Sequence, residues 1–245
     1  DIYLRHAGVV ALGNCAQPVQ LRVLVKDGSP TVRMAALLAM RRLQLPEIAE
    51  FLNDSDDLLV VEAARAINDR PINAALPALA SVLNNDRKFA AKYGKQFQAF
   101  QLRAVNANFR LGKIENAKAL AEFAAQPSSP EATAAEALIA LASWPEPSDR
   151  DRVVGVYRPL KREIINVASA LQPVINQILT GHQAEPVKLA AINALTQLHL
   201  DNAGESLRGL VADTKAPAKL RLEALRALEQ LKDSRLADAA KIAQA

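Results

Sequence analysis

The sequence predicts an all-α protein built as an α-solenoid, in which helical hairpins stack one after another. Half of the 245 residues are apolar, with many alanines and leucines, 4% aromatic residues and nine glycines. This balance favours helix over strand. One apolar pattern recurs seven times, and a second, shorter pattern lies between several of its copies. Internal repetition of this kind predicts a helical-repeat protein.

The longer pattern starts with a β-branched residue or Leu, often followed by a basic residue, and continues through Ala-rich positions to a closing Leu. Apolar residues fall at i, i+4, i+7 or i+8 and i+11, the stripe of an amphipathic helix. Longer gaps before the fourth and sixth copies indicate insertions. In chain order the copies are "LRHAGVVALGNC" from Leu4, "VRMAALLAMRRL" from Val32, "VVEAARAINDRP" from Val60, "LRAVNANFRLGK" from Leu102, "TAAEALIALASW" from Thr133, "VKLAAINALTQL" from Val187 and "LRLEALRALEQL" from Leu220.

The shorter pattern predicts the second helix of each hairpin. Two helices joined by a short turn containing Pro, Asp or Asn form an αα-hairpin. Paired alanines let a neighbouring helix approach closely, and adjacent hairpins must cover each other's stripes. We therefore expect one repeat domain over residues 1–245, an α-α superhelix. The shorter segments are "PEIAEFL" from Pro46, "ALPALASVL" from Ala75, "ENAKALAEFAA" from Glu115 and "AGESLRGLVAD" from Ala203.

Two stretches depart from the repeat and are interpreted as inserted connections. Residues 84–101 add basic and aromatic residues, and residues 144–160 contain the only tryptophan. The segment "KREIINVASALQPVINQIL" that follows predicts one helix or a pair of helices interrupted at Pro173. Long connections in a repeat protein are reasonable places for partner contacts.

Composition limits the classes of function. Lys and Arg outnumber Asp and Glu by 30 to 26, and the two signs are interspersed, so the sequence does not favour a nucleic-acid partner. No apolar run reaches the roughly 20 residues of a membrane span. Cys15 is the only cysteine, which excludes an internal disulfide framework. The chain opens at Asp1 inside a helical pattern without Met, so we expect a fragment of a longer protein.

The segment "VEAARAIND" places polar residues on a predicted helix. At about 100° per residue, Val60, Ala64 and Ile67 share one side, opposite the charged positions. Arg65 lies three residues after Glu62 and four before Asp69, so it can pair with both. With Asn68, these side chains form a predicted structural polar cluster: Glu62, Arg65, Asn68 and Asp69. The alternative is a polar groove for a partner.

Enzymatic motifs are missing from the sequence. It contains no G-x-G-x-x-G, P-loop, G-x-S-x-G or C-x-x-C-H motif. His6, His182 and His199 are far apart in sequence, and none has a second ligand at metal-binding spacing. We therefore predict no catalytic, cofactor-binding or metal-binding residues and no cofactor in this chain.

A basic residue recurs at one equivalent position of the longer pattern. The simplest interpretation is a solvated position or one that pairs within the repeat. The alternative is a ladder that binds the phosphates of a nucleic acid. The residues are Arg5, Arg33, Arg103, Lys188 and Arg221.

The segment "DRDRVVGVYRP" in the second insertion is the candidate contact surface. It gathers charged and aromatic side chains around a glycine, namely Arg150, Asp151, Arg152, Tyr157 and Arg158. The favoured interpretation is a loop clamped to the repeats by its own Arg–Asp pairs and by Trp144. The alternative is that these side chains contact a partner.

The double-alanine pattern with Arg or Lys at its second position resembles HEAT repeats. More narrowly, "YLRHAGVVAL", "VRMAALLAMRRL", "FLNDSDDLLVVEAARAINDRPI", "LRAVNANFRLG" and "DRVVGVYRPL" resemble the helical-repeat segment of large planctomycete and verrucomicrobial proteins. Such proteins are often described as membrane-bound dehydrogenases or c-type haem-binding proteins. The likeness covers most of residues 2–160, and beyond that the chain is generically HEAT-like.

The resemblance implies an exported, periplasmic location and a scaffold between redox domains. In that family a β-propeller related to sugar dehydrogenases precedes the helical repeats, and a c-type cytochrome domain follows them. This chain has neither the propeller nor C-x-x-C-H, so no catalytic or haem-ligating residue carries over. We expect a non-catalytic scaffold whose partners are another protein or those adjacent domains, with no nucleic acid and no direct membrane insertion. A free-standing HEAT-like adaptor is the first alternative, and a nucleic-acid binder or a helical-repeat enzyme is a further one.

Overall fold

The computed structural model describes residues 2–84 and 94–244 and confirms the all-α fold, an α-solenoid of HEAT-like helical hairpins. Within the described ranges there is no β-strand, only an isolated bridge between Arg150 and Tyr157. The α-helices are α1 (Ile2–Cys15), α2 (Pro18–Leu24), α3 (Pro30–Leu43), α4 (Asp57–Asp69), α5 (Leu76–Ser81), α6 (Gly94–Leu111), α7 (Ile114–Ala125), α8 (Glu131–Ala142), α9 (Ala168–Leu171), α10 (Ile175–Thr180), α11 (Glu185–Gln197), α12 (Gly204–Ala212), α13 (Ala218–Gln230) and α14 (Leu236–Gln244).

The chain forms two compact units. The first unit comprises Asp1–Ala107 together with Arg152–Gly155, and the second comprises Asn108–Asp151 together with Val156–Ala245. The boundary falls inside α6. This division does not test whether residues 1–245 form a single repeat domain, which stays a prediction.

In the first unit, the longer repeat helices pack directly against each other. Helix α3 contacts both α1 and α4, and a 3-10 helix over Pro46–Asn53 covers α3 and α4 from the side. Helix α4 begins where the Asp56 side chain accepts a hydrogen bond from the Leu58 amide at 2.9 Å. The predicted stripe of Val60, Ala64 and Ile67 is fully buried.

In the second unit, α8 packs against α7 and α11, and α11 packs against α13. Helices α10, α12 and α14 supply the second helices of the hairpins. The core contains Leu138, Leu141 and Leu195, and Trp144 closes it beyond the end of α8. The copies from Thr133, Val187 and Leu220 thus form the predicted amphipathic helices.

Several longer helices end in the same turn. Gln44, His199 and Lys232 follow α3, α11 and α13 in the left-handed conformation, with φ of 55°, 53° and 55°. The next residue then donates its amide hydrogen back into the helix, as Leu200 does to the Leu195 carbonyl at 2.9 Å. His199 therefore has a structural place in a helix-ending turn.

Some boundaries differ from the sequence predictions. The segment from Pro46 forms a 3-10 helix, and Ala75 to Asn84 form α5 flanked by short 3-10 turns. Residues 94–101 begin α6, so the first insertion is shorter than predicted, while 85–93 lie outside the described residues. After the second insertion, α9 and α10 form the predicted pair interrupted around Pro173. No pattern had indicated α2 or α14.

Candidate functional site

The polar cluster on α4 is held by neighbouring helices as well as by its own spacing. Arg65 donates to one oxygen of Glu62 at 3.3 Å, which is the expected i,i+3 pair. The other Glu62 oxygen accepts a hydrogen bond from Arg41 of α3 at 2.7 Å. Glu62 is half-buried, and Arg65 keeps 56% of its side chain exposed. The carboxylate therefore joins α3 to α4.

The second half of the cluster differs from the expected pairing. Asp69 binds Arg103 of α6, which donates from Nε at 3.0 Å and from Nη2 at 2.7 Å. Asn68 is fully buried, donates to Asp69 at 2.9 Å and accepts from Asn106 at 2.8 Å. The cluster thus connects α4 to α6, and Asp69 takes Arg103 as its partner instead of Arg65.

Arg41, Arg103 and Asn106 are the members of this network that sequence reasoning missed. Asn106 had a detectable signal, because it interrupts the apolar stripe of the copy from Leu102. A polar residue at a core position needs a hydrogen-bond partner. The spacing within α4 could not identify that partner on another helix.

We expect Arg65→Ala to lower the free energy of unfolding by less than about 0.5 kcal/mol, because its single pair is exposed. Asp69→Ala should cost about 2 kcal/mol, since it removes the acceptor of two Arg103 hydrogen bonds and of one from the Asn68 amide in a half-buried place. Urea denaturation followed by circular dichroism measures both values. Equal losses for the two variants would contradict this assignment.

At three of the five recurring basic positions, the side chain donates hydrogen bonds to other groups of the protein. Arg33 donates twice to Asp54, at 2.8 and 2.9 Å, and once to the Asp27 carbonyl. The hydrogen bonds with the Asp54 side chain raise the pKa of Arg33. Arg221 donates to the Val211 carbonyl at 2.9 Å. With Arg103 bound to Asp69, three of the five positions serve protein contacts, and the side chain of Arg5 lies outside the described residues.

The second insertion forms a small hairpin-like loop. The Asp151 amide donates to the Val156 carbonyl at 2.9 Å, and the Arg158 amide donates to the Asp149 carbonyl at 2.7 Å. Gly155 has a φ of +70°, a left-handed conformation that a glycine adopts at little cost. These bonds set Arg150 opposite Tyr157.

Asp151 is buried and is not part of the exposed contact surface to which it was assigned; it serves the Arg–Asp clamp that was the favoured interpretation of this segment. Asp151 is 3% exposed. One of its carboxylate oxygens accepts a hydrogen bond from Arg110 of α6 at 3.3 Å and another from Arg158 at 3.2 Å. Arg158 and Arg110 are themselves largely buried. Burial lowers the pKa of Arg110, the nearby charge of Arg158 lowers it further, and Asp151 opposes both effects. A buried carboxylate between two guanidinium groups anchors the loop.

The exposed part of the predicted surface is smaller. Tyr157 is 72% exposed, Val156 beside it is 53% exposed, and Arg150 is exposed. Arg152 is half-buried. The role of these side chains in contact with a partner stays a prediction, and Tyr157 is its centre.

Trp144 and Arg162 form a stacked group beside the anchored loop. The Trp144 ring meets Phe109 edge to face, with centroids 5.5 Å apart, and the Arg162 guanidinium carbon lies 4.5 Å from the Trp144 ring centroid. Gly112 has a φ of +74°, and the Arg162 side chain crosses directly over it. Burial lowers the pKa of Arg162. The sequence indicated that Trp144 holds the loop, but not that Arg162 covers it.

A groove of about 560 Å³ opens between α1 and α3 in the first unit. Its apolar lining consists of Ile2, Val9, Val10, Met34 and Leu38. The valines, Met34 and Leu38 are half-buried, and Ile2 is 69% exposed. The groove therefore offers apolar surface that solvent reaches.

Three arginines border the same groove, namely Arg41, Arg42 and Arg70, and His6 also lines it. None of the described residues that line the groove is acidic. Arg41 is neutralised by Glu62, whereas Arg42 and Arg70 are exposed and make no ion pair with any described residue. The groove combines an apolar floor with uncompensated positive charge.

Two observations concern membranes and metals. Among the described residues, no helix is long and apolar enough to cross a membrane. In the same part of the chain, no three His, Cys, Asp or Glu side chains are grouped as metal ligands would be.

Comparison with known proteins gives structural neighbours only. No protein-family model and no curated protein matches the chain. Two crystal structures of engineered proteins are similar to it, one at TM-score 0.51 and 18% identity, covering 87% of this chain and 95% of the other. The second has TM-score 0.50 and 21% identity, with coverage of 88% and 98%. A designed armadillo repeat protein in complex with peptide (KR)4 has TM-score 0.47 and 14% identity, with coverage of 92% and 97%. At these identities the likeness of the two engineered proteins concerns the fold alone.

Proposed function

We propose that this chain is a non-catalytic helical-repeat scaffold that holds a protein partner or neighbouring domains of one polypeptide. One observation supports it: charged side chains that could do chemistry are paired between elements, while apolar and aromatic side chains stay exposed. Asp69 and Asp151 each accept hydrogen bonds from arginines. Tyr157 and Ile2 are mostly exposed. Exposed apolar surface on a folded domain is typical of interaction sites.

We propose further that the scaffold works inside an exported redox protein, between a β-propeller and a c-type cytochrome domain. The support is the resemblance of the segments from Tyr3, Val32, Phe51, Leu102 and Asp151 to the helical repeats of such proteins. The chain has no C-x-x-C-H motif. Its part would be to position the redox domains, with the haem and the dehydrogenase chemistry carried elsewhere in the polypeptide.

A blot of fractionated source cells tests this context, with an antibody raised against the chain and a parallel stain for covalent haem. We expect a periplasmic band well above 26.4 kDa, the mass of this chain, that also stains for haem. A haem-free band at that mass would overturn the redox context. The protein would then be a free-standing HEAT-like adaptor, whose partner a pull-down should identify.

A further inference from the structure

The groove between α1 and α3 has the features of a binding site for an acidic protein segment. We propose that it binds a partner segment in which apolar side chains alternate with carboxylates. The proposal rests on the scaffold function and adds to it the location of a binding site and the chemistry of the partner. The loop of the second insertion does not contribute to it, and the polar cluster on α4 reaches it only through Arg41, which Glu62 neutralises.

Charge determines which kind of segment fits. Arg42 and Arg70 make no ion pair with any described residue, and the described part of the groove lining contains no carboxylate. The stem of Arg42 lies across α1 at Gly13, where an added methyl carbon would stand 3.0 Å from its Cδ. Arg42 also lines the groove. Two uncompensated guanidinium groups favour carboxylates, which they can bind through paired hydrogen bonds.

The apolar floor of the groove determines which side chains of the partner segment lie between its carboxylates. Val9, Val10, Met34 and Leu38 are half-buried and together present a continuous apolar surface from two helices. Burying a Leu side chain there contributes free energy that charge alone does not supply. Met34 adds an unbranched side chain that adapts to differently shaped partners. In a segment with leucines between glutamates, the leucines can pack on the apolar floor and the glutamates can pair with the arginines at the border.

A nucleic acid fits the groove less well. Its phosphates could bind the arginines, but its bases need aromatic side chains for stacking, and the lining residues that the structure describes include none. The floor is built from aliphatic side chains and Met34. Binding of an oligonucleotide is therefore an outcome that the test must separate from binding of a peptide.

The test uses the full chain and a fluorescein-labelled peptide in which leucines alternate with glutamates, titrated by fluorescence anisotropy at about 0.15 M salt. We expect saturable binding. Replacing the leucines of the peptide by serine should weaken binding at least about tenfold, because the apolar burial is lost. Replacing its glutamates by lysine should abolish binding.

The protein variant is Arg42→Gln with Arg70→Gln, which should weaken binding by at least about fivefold. Both side chains are exposed, so the fold should persist, and circular dichroism checks this. The matched control is Lys161→Gln with Lys219→Gln, which removes the same charge from exposed positions of the second unit that make no ion pair with described residues. The control should bind like the wild type. Arg70→Glu alone provides a second variant, with a repulsive charge at the border.

Three results would overturn the proposal: equal binding by the groove variants and the wild type, equal loss in the control, or binding of the serine peptide as tightly as the leucine peptide. A single-stranded oligonucleotide that competes with the peptide at equal affinity would also overturn it, in favour of a non-specific cation site. Such failures leave the scaffold function standing, because the blot and the pull-down test that function without the groove.

Discussion

Asp151→Ala is expected to lower the free energy of unfolding by about 3 kcal/mol, since it removes one partner of a buried ionic group. Asp151 is 3% exposed and is the acceptor shared by Arg110 and Arg158. Without it, two guanidinium groups face each other in a largely buried place and repel. The fluorescence of Trp144, the only tryptophan, follows urea denaturation of the second unit.

Asp149→Ala is the matched control for this substitution. Asp149 lies in the same loop, is exposed, and contributes its backbone carbonyl rather than its carboxylate to the Arg158 amide. Its replacement should change stability by less than about 0.5 kcal/mol. An Asp151→Ala variant as stable as this control would show that the carboxylate does not anchor the loop.

Trp144→Ala should cost about 3–5 kcal/mol, the range for removing a large aromatic side chain from a core. The ring is fully buried, packs against Phe109 at 5.5 Å and supports the guanidinium of Arg162 at 4.5 Å. Because this variant loses its fluorescence signal, urea denaturation is followed by circular dichroism.

Arg162→Met separates the stacking of the cation from the packing of the core. Met keeps an apolar stem over Gly112 and Trp144 but removes the charge, so the expected loss is about 1 kcal/mol, the size of a cation–π contact. In a double-mutant cycle with Trp144→Leu, the coupling should be positive and of similar size. Zero coupling would mean that the cation gains nothing from the ring.

Part of the candidate site was predictable from local spacing. The pair of Arg65 with Glu62 follows from the geometry of a single helix, in which residues three apart share a face. The pairing partners of Asp69 and Asn68 did not follow, because Arg103 and Asn106 lie 34 and 38 residues further along the chain. The loop was likewise predicted to be clamped by Arg–Asp pairs, but Arg110, which lies on α6, could not be assigned to it.

The sequence by itself determined the helical repeats and their buried faces. The spacing of apolar residues and the turn residues between them act over a few positions, so they indicate locally where the seven copies form helices. Only the tertiary structure decided which side chains are left for a partner. It buried Asp151, for which the sequence had left both a clamp and a partner contact open, and it left Tyr157 exposed in the same loop. It also brought α1 and α3 together around a groove with unpaired arginines, because the stacking of helices sets contacts that no local pattern encodes.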